Sequence, residues 1–173
     1  TGWRLKANSG ELTILGGQSA VGPVNLKRII IRPGTTATVY FGVSYQFQNV
    51  ELNTCTGYLN NIYNFNPPLP NNCPLPLRNE INSFSSACQN FILSLSSCKM
   101  PTGEELNRFT NDSLCREFLQ DLNYQSCYNK NASRPNFFAG SRVWQSQSFP
   151  FENSSSRLLL FDRNGLLVDV YGY

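Results

Sequence analysis

The chain has 173 residues, a net charge of +3 and only 14% charged residues. This length fits one ordinary domain with room for a large insertion. The basic residues are scattered and form no stripe, which excludes a typical nucleic-acid-binding surface. No apolar run approaches the roughly 18 residues of a membrane-spanning helix, so no membrane insertion is predicted.

Short β-strands are predicted for the first third of the chain. In residues 2–7, Trp3 and Leu5 alternate with basic side chains, which is the pattern of a half-buried strand. Several short strands at close spacing are typical of a sandwich or a barrel. The further strands are predicted over residues 11–15, 25–31 and 36–44.

The middle of the chain follows a different pattern. Five prolines within residues 67–76 predict an extended, irregular connection. Apolar residues at helical spacing predict one helix that begins near Asn79 and a second that begins at the N-cap Asn111 or Asp112. Residues 123–136 are polar and predict a loop.

The closing segment predicts a β-hairpin. Residues 157–161 and 166–171 are strand-forming and flank Asp162-Arg163-Asn164-Gly165. Asn-Gly between apolar runs favours a tight turn in which both turn residues have positive φ. The second arm alternates, so one of its faces is expected to enter a core. The hairpin needs a partner sheet, which we expect the N-terminal strands to supply, and a further strand is predicted at Arg142-Val143-Trp144.

Six cysteines lie in the middle block without a CxxC pair, and the chain has no histidine. Zinc sites usually show close cysteine pairs or cysteine with histidine, so three disulfides are the better interpretation, and no metal or cofactor is predicted. Disulfides persist in an oxidising compartment, which predicts a secreted or cell-surface protein. Because Thr1 begins no signal peptide, such a protein is expected to be a processed chain or a fragment of a longer one. The six cysteines are Cys55, Cys73, Cys88, Cys98, Cys115 and Cys127.

The sequence leaves the pairing of these cysteines open. Two of them lie on the apolar faces of the predicted helices, so we expect those two to form one bridge. The expected pairs are Cys88 with Cys115, Cys55 with Cys73, and Cys98 with Cys127.

The order of predicted elements is strands, then helices, then strands. A helical insertion between two halves of one sheet structure explains this order better than two consecutive domains. We therefore predict a single domain, with residues 1–45 and 142–173 as the halves of a β-sandwich and residues 46–141 as a cysteine-rich, partly helical insertion.

The two ends of the chain together resemble a known family. Gly2-Trp3-Arg4-Leu5, Ile31-Arg32-Pro33-Gly34 and the closing run from Leu160 to Asp169 resemble the "GW-L", "L-PG" and "L-D-x-x-G-x-x-V-D" motifs of the lamin-tail domain. The resemblance implies a mainly β fold, an immunoglobulin-like β-sandwich. Family members usually have a strand before the "GW-L" strand, so we expect either a truncated chain or completion of the sheet by a strand from a neighbouring subunit.

The cysteine-rich block resembles the insertion of secreted lamin-tail proteins from candidate-phylum bacteria. Cys73-Pro74-Leu75-Pro76, Cys98-Lys99-Met100-Pro101 and Cys115-Arg116-Glu117-Phe118 carry this likeness. It implies a bacterial, exported protein. The family supplies no catalytic residue, so the resemblance implies a scaffold or binding module.

Acidic pairs are the remaining candidates for chemistry, because a chain without histidine excludes Ser-His and Cys-His catalysis. Glu104-Glu105 is better explained as a solvated helix start than as an acid–base pair. Asp162 with Asp169 lacks the other ligands of a calcium loop, so a hairpin turn is the better interpretation there. No catalytic residue is predicted.

Two kinds of surface residue are also predicted. Asn-x-Ser sequons occur at Asn111, Asn131 and Asn153, which would lie on the surface if they carry glycans. Aromatic side chains in the loops could form a carbohydrate or protein groove, although core packing also explains them. These aromatic residues are Tyr45, Phe47, Tyr58, Tyr63 and Phe65. Trp3 and Trp144 are expected in the core.

We therefore expect a non-enzymatic secreted or cell-surface module that serves structure, adhesion or assembly, with a protein partner or a second copy as its contact. Two alternatives remain open. A carbohydrate-binding module would require an exposed row of aromatic rings, and an accessory domain of a secreted hydrolase would require a catalytic segment outside this chain.

Overall fold

The computed structural model describes residues 2–8, 10–14, 33–42, 50–145 and 157–172. Within these ranges the chain forms seven strands in two sheets, one 3-10 helix and five short α-helices. The strands are β1 (Trp3–Ala7), β2 (Gly10–Ile14), β3 (Thr36–Phe41), β4 (Val50–Asn53), β5 (Phe138–Gln145), β6 (Arg157–Phe161) and β7 (Leu167–Gly172). The helices are the 3-10 helix Thr56–Asn61, α1 (Arg78–Ile81), α2 (Ser86–Ser94), α3 (Gly103–Asn107), α4 (Ser113–Gln120) and α5 (Tyr124–Asn131).

The chain divides into two compact units. The strand-rich unit comprises Thr1–Glu51 and Gly140–Tyr173, and the helical unit comprises Leu52–Ala139. The fold is thus mixed α and β, whereas the sequence favoured a mainly β sandwich with a partly helical insertion. The predicted strand at residues 25–31 lies outside the described residues.

The first sheet joins the two ends of the chain. Its order is β2-β1-β6-β7, and each neighbouring pair is antiparallel. The pairing of Leu5 with Leu160 supplies the partner that the closing hairpin requires. On this sheet Arg4 forms an ion pair with Glu11 at 2.7 Å and lies over the ring of Phe161.

The hairpin between β6 and β7 is confirmed, but the predicted turn geometry is wrong. Gly165 has positive φ, whereas Asn164 does not, and Gly165 N–H donates to the Asp162 carbonyl at 3.1 Å. Asp162 Oδ1 also accepts from the N–H groups of Asn164 and Leu166, both at 2.8 Å. These bonds favour a type I turn followed by a left-handed glycine over the tighter turn expected from Asn-Gly alone.

The second sheet has the order β3-β5-β4. β3 and β5 are parallel, with Thr36 opposite Gly140 and Tyr40 opposite Trp144. The rings of Tyr40 and Trp144 stack with centroids 5.6 Å apart, and Trp144 is buried as predicted. A parallel pair departs from the antiparallel pairing typical of an immunoglobulin-like sandwich.

The helices begin at polar caps that the sequence provides. The side chains of Ser85 and Asp112 accept from the N–H groups of Cys88 and Cys115, which starts α2 and α4. Ser85 Oγ also donates to Asp112 Oδ2 at 2.9 Å, so the two helix starts are joined side by side. The N-cap predicted for the second helix is therefore confirmed at Asp112.

Two helix predictions are wrong in detail. The single helix expected from Asn79 is split into α1 and α2, because Ser85 caps a new helix four residues after Ile81. The loop expected over residues 123–136 contains α5, whose N-cap Asn123 accepts from Ser126 N–H at 2.9 Å. The sequence of α5 lacks apolar periodicity, which hid this helix.

The core of the helical unit has two adjoining clusters. The larger cluster packs the inner faces of α2 and α4, with side chains of Ile92 and Leu119 almost fully enclosed. The smaller cluster surrounds Tyr58, Cys73 and Cys98. Because Leu122 packs against both clusters, the two form a continuous interior.

Candidate functional site

Three disulfides are present, and all six predicted cysteines take part in them. The predicted bridge between Cys88 and Cys115 is confirmed, because the joined starts of α2 and α4 bring these two residues together. The other two predicted pairs are wrong. The observed bridges are Cys55–Cys127 and Cys73–Cys98.

The positions of the neighbouring segments explain the corrected pairing. Cys55 precedes the 3-10 helix against which α5 packs, and Asn53 Nδ2 donates to the Tyr124 hydroxyl at 3.1 Å. This contact places Cys127 beside Cys55. Ser97 Oγ donates to the Cys73 carbonyl at 3.0 Å, which holds Cys98 beside Cys73.

The predicted sequons lie in different environments. Asn111 is exposed, and Asn153 lies outside the described residues. Asn131 is only 6% exposed, and its Nδ2 donates to the Cys127 carbonyl at 2.8 Å. The nitrogen that would carry a sugar at Asn131 is thus buried and hydrogen-bonded within α5, which disfavours the possible glycosylation of this sequon.

The predicted aromatic surface does not form an exposed row in the described part of the chain. Tyr58 and Phe65 are buried, and Tyr63 meets Phe65 edge to face with centroids 5.9 Å apart. Tyr45 and Phe47 lie outside the described residues. The three described rings thus serve packing rather than a flat platform for a sugar, and Tyr58 also lines a cleft.

The acidic pairs have structural roles. Glu105 Oε2 accepts from Thr102 N–H at 2.7 Å in the capping box of α3, and this backbone bond is the main reason that the pKa of Glu105 is lowered. Asp162 holds the hairpin turn, and Asp169 Oδ1 accepts from the adjoining Val170 N–H. Among the described residues no cluster of acidic, cysteine or histidine side chains could hold a metal ion.

One exposed apolar feature is the strand β7. It lies at the edge of the first sheet, with β6 as its neighbour in that sheet. The burial expected for one face of this strand is not observed, since all six of its residues are exposed. Its large apolar side chains are 47–63% exposed, and they are Leu167, Val168, Val170 and Tyr171.

A cleft of about 420 Å³ lies within the helical unit. One wall is the extended segment that contains Leu75 and Leu77, both about 60% exposed, and another is formed by α4 and α5 with the ring of Phe118. Lys130 and Arg134 line it on the α5 side, together with Glu80 and Asp121. The sequence did not reveal this site, because the residues from α5 were expected in a loop. The sign of α5 in the sequence was Asn123, a residue type that favours the N-cap position and here accepts from Ser126 N–H.

Two buried polar side chains also line the cleft, Tyr58 and Asn131, each 6% exposed. Burial raises the pKa of the Tyr58 phenol. Asn131 Nδ2 donates to the Cys127 carbonyl at 2.8 Å.

The class of protein that these features define is a disulfide-stabilised, mixed α/β protein, consistent with an oxidising environment. In the ranges that the structure covers, no helix is long and apolar enough to cross a membrane. A scan against protein-family models and searches of curated proteins and of solved structures found no match for this chain. The lamin-tail assignment thus stays a prediction from the sequence motifs.

Proposed function

We propose that the protein is a non-enzymatic secreted or cell-surface module that associates with a second copy of itself through β7. In this proposal the strand-rich unit is an immunoglobulin-like sandwich of lamin-tail type, and the helical unit is a disulfide-stabilised insertion. The pairing of β1 with β6, which joins the "GW-L" strand to the closing hairpin, supports the lamin-tail part of the proposal.

The observation that carries self-association is the exposure of β7. Edge strands in soluble proteins are usually protected by charges, proline, bulges or a covering segment, because their free backbone groups can pair with another chain. β7 is six residues long and has a single charged residue, Asp169. Its apolar side chains are exposed on both faces, so pairing with another strand would remove apolar surface from water.

A second copy is the occupant that best matches this edge. Two antiparallel β7 strands related by a two-fold axis at Val170 would place Val170 opposite its own copy and Asp169 opposite Tyr171. A two-fold axis at Asp169 would instead place two carboxylates opposite each other, which is unfavourable. The proposal therefore includes the register centred on Val170.

Light scattering coupled to size-exclusion chromatography over a range of concentrations tests this proposal. The wild type should dimerise as concentration rises, and Val170→Lys should remain monomeric because it places two like charges at the two-fold axis. Leu93→Lys is a matched control, since Leu93 is 51% exposed, comparable to Val170 at 47%, but lies on α2. A wild type that stays monomeric at every concentration would refute self-association, and equal dimerisation of Val170→Lys would refute its site.

A further inference from the structure

The six bridged cysteines differ in how far solvent reaches them. Cys127 is half-buried, whereas the other five are no more than 5% exposed. Those five are Cys55, Cys73, Cys88, Cys98 and Cys115. Exchange at a disulfide requires an attacking thiolate to reach one of its two sulfurs. The Cys55–Cys127 bridge is therefore the one with an accessible end.

The cleft of the helical unit leads to this bridge. Cys127 is one of the residues that line the cleft, whose volume is about 420 Å³. This volume falls in the range of roughly 300–1,000 Å³ that is usual for small-molecule sites, so a small thiol compound can enter. A second pocket, lined by Cys98, has about 10 Å³, which is room for about one water molecule. The space beside Cys98 therefore does not admit a thiol.

We propose that the Cys55–Cys127 bridge is a thiol-exchange site, which a small dithiol reduces before the other two bridges. A thiolate of the dithiol attacks Cys127 Sγ, the disulfide bond breaks, and Cys55 leaves as a thiolate that takes up a proton. The second thiol of the reductant loses its proton, attacks the reductant sulfur bound to Cys127 and releases the Cys127 thiolate, which is then protonated. The bridge gains two electrons and two protons, and the dithiol becomes a cyclic disulfide.

Asn131 favours the second step. Its Nδ2 lies 3.7 Å from Cys127 Sγ and is directed at the sulfur as a donor. A hydrogen bond to sulfur favours the charged thiolate over the neutral thiol. Cys127 is the leaving group of the second step, so this contact promotes its release.

Reduction of this bridge would loosen α5. This helix has eight residues and a polar sequence, and a helix of that length is marginal on its own. The bridges Cys73–Cys98 and Cys88–Cys115 would remain, and the second of these joins α2 to α4. We therefore expect a local change at α5 with the α2–α4 pair intact. The site lies within Leu52–Ala139, so the proposal is independent of self-association through β7.

Graded reduction of the full, oxidised chain with dithiothreitol tests the proposal. Free thiols are blocked with iodoacetamide at successive times and located by peptide mass spectrometry. Cys55 and Cys127 should be labelled first and together, as a species with two blocked thiols. Equal labelling of all six cysteines, or earlier labelling of another bridge, would overturn the proposal.

A denaturant series separates exchange through the cleft from exchange through unfolding. The rate of the first labelling should not change with urea concentrations below the unfolding transition, because the folded protein already admits the thiol. A rate that rises steeply with urea would show that the bridge reacts only after unfolding, which would overturn the cleft route.

The species with two blocked thiols also tests the change at α5. Hydrogen exchange should show lost protection over Tyr124–Asn131 and retained protection over Ser86–Ser94. The matched control is the double variant Cys88→Ser with Cys115→Ser, which lacks a fully buried bridge and should keep the early labelling of Cys55 and Cys127. Retained protection of α5, or equal loss of protection in both helices, would overturn the local role of the bridge.

Discussion

Substitution of Gly57 by alanine tests how tightly the 3-10 helix is packed against the Cys73–Cys98 disulfide. A Cβ atom added at this glycine would overlap Cys98 Sγ and would lie 2.7 Å from the Pro70 carbonyl oxygen. Both neighbours are fixed, since the sulfur is held in a disulfide and the oxygen belongs to the backbone. The φ of Gly57 is not positive, so no backbone strain would add to this steric overlap.

Two contributions of opposite sign set the magnitude. Overpacking a filled core site is unfavourable by about 1–3 kcal/mol, and fixed neighbours place this site at the upper end of that range. Loss of glycine's unfolded-state freedom favours the variant by about 0.5–1 kcal/mol. The steric term is larger, so we expect a net loss of about 2 kcal/mol. In a unit of this size the loss corresponds to a fall in Tm of roughly 8–16 °C.

Thermal unfolding of the oxidised protein, followed by circular dichroism, measures this change. Gly103→Ala is the matched control, because a Cβ at Gly103 meets no atom within 4 Å and the residue starts α3. The control should leave Tm unchanged or slightly raised. A Gly57→Ala variant as stable as the wild type would show that the 3-10 helix can move away from the disulfide, and the packing described for Tyr58 and Cys98 would then be wrong.

Three further substitutions test local features. Gly140→Ala should loosen the start of the parallel β3–β5 pair, because the φ of Gly140 is +136° and the added Cβ would meet the Thr36 carbonyl. Hydrogen exchange measures this loosening. Unchanged protection of the backbone amides of β3 and β5 would contradict the prediction. Asp112→Ala should lower the free energy of unfolding by about 0.5–2 kcal/mol through loss of the α4 cap, as measured by urea denaturation. An unchanged free energy of unfolding would show that Asp112 does not stabilise α4 as a cap. The lowered pKa of Glu105 means that its stabilising contribution is present above its ordinary pKa and is lost as pH falls through the lowered value. Thr102→Ala should move that pKa part of the way back in an NMR titration, and an unmoved pKa would exclude the side-chain contribution.

Local signals in the sequence predicted several elements well. The sequence offered Asn111 or Asp112 as the N-cap of α4, and Asp112 takes that place because its side chain accepts from the Cys115 N–H, an interaction that needs only neighbouring residues. The two arms of the closing hairpin followed from their apolar runs in the same way. The turn between them differed, because the bonds made by Asp162 outweighed the preference of Asn164 for positive φ.

Several features that depend on distant residues were not predicted, although the Cys88–Cys115 bridge and the pairing of β1 with β6 were. α5 has a polar sequence, and it is held by the bridge from Cys127 and by the Tyr124 contact with Asn53, which join residues about 70 positions apart. The pairing of Cys55 depended on this helix, so missing α5 led to the wrong partner. The cleft was hidden for the same reason, since Lys130 and Asn131 of α5 are among the residues that line it.

The disulfides make the cleft conditional on oxidation. Loop-closure entropy assigns about 4 kcal/mol to the Cys55–Cys127 bridge, which spans 72 residues, and about 3.5 kcal/mol to each of the other two. These contributions are not strictly additive, yet together they match the roughly 5–15 kcal/mol total stability of a typical domain. The short helices of this unit, none longer than nine residues, would be marginal on their own. The fold of Leu52–Ala139 therefore requires its disulfide bridges. The strand β7 does not depend directly on these bridges, because β7 and its partner strands contain no cysteine.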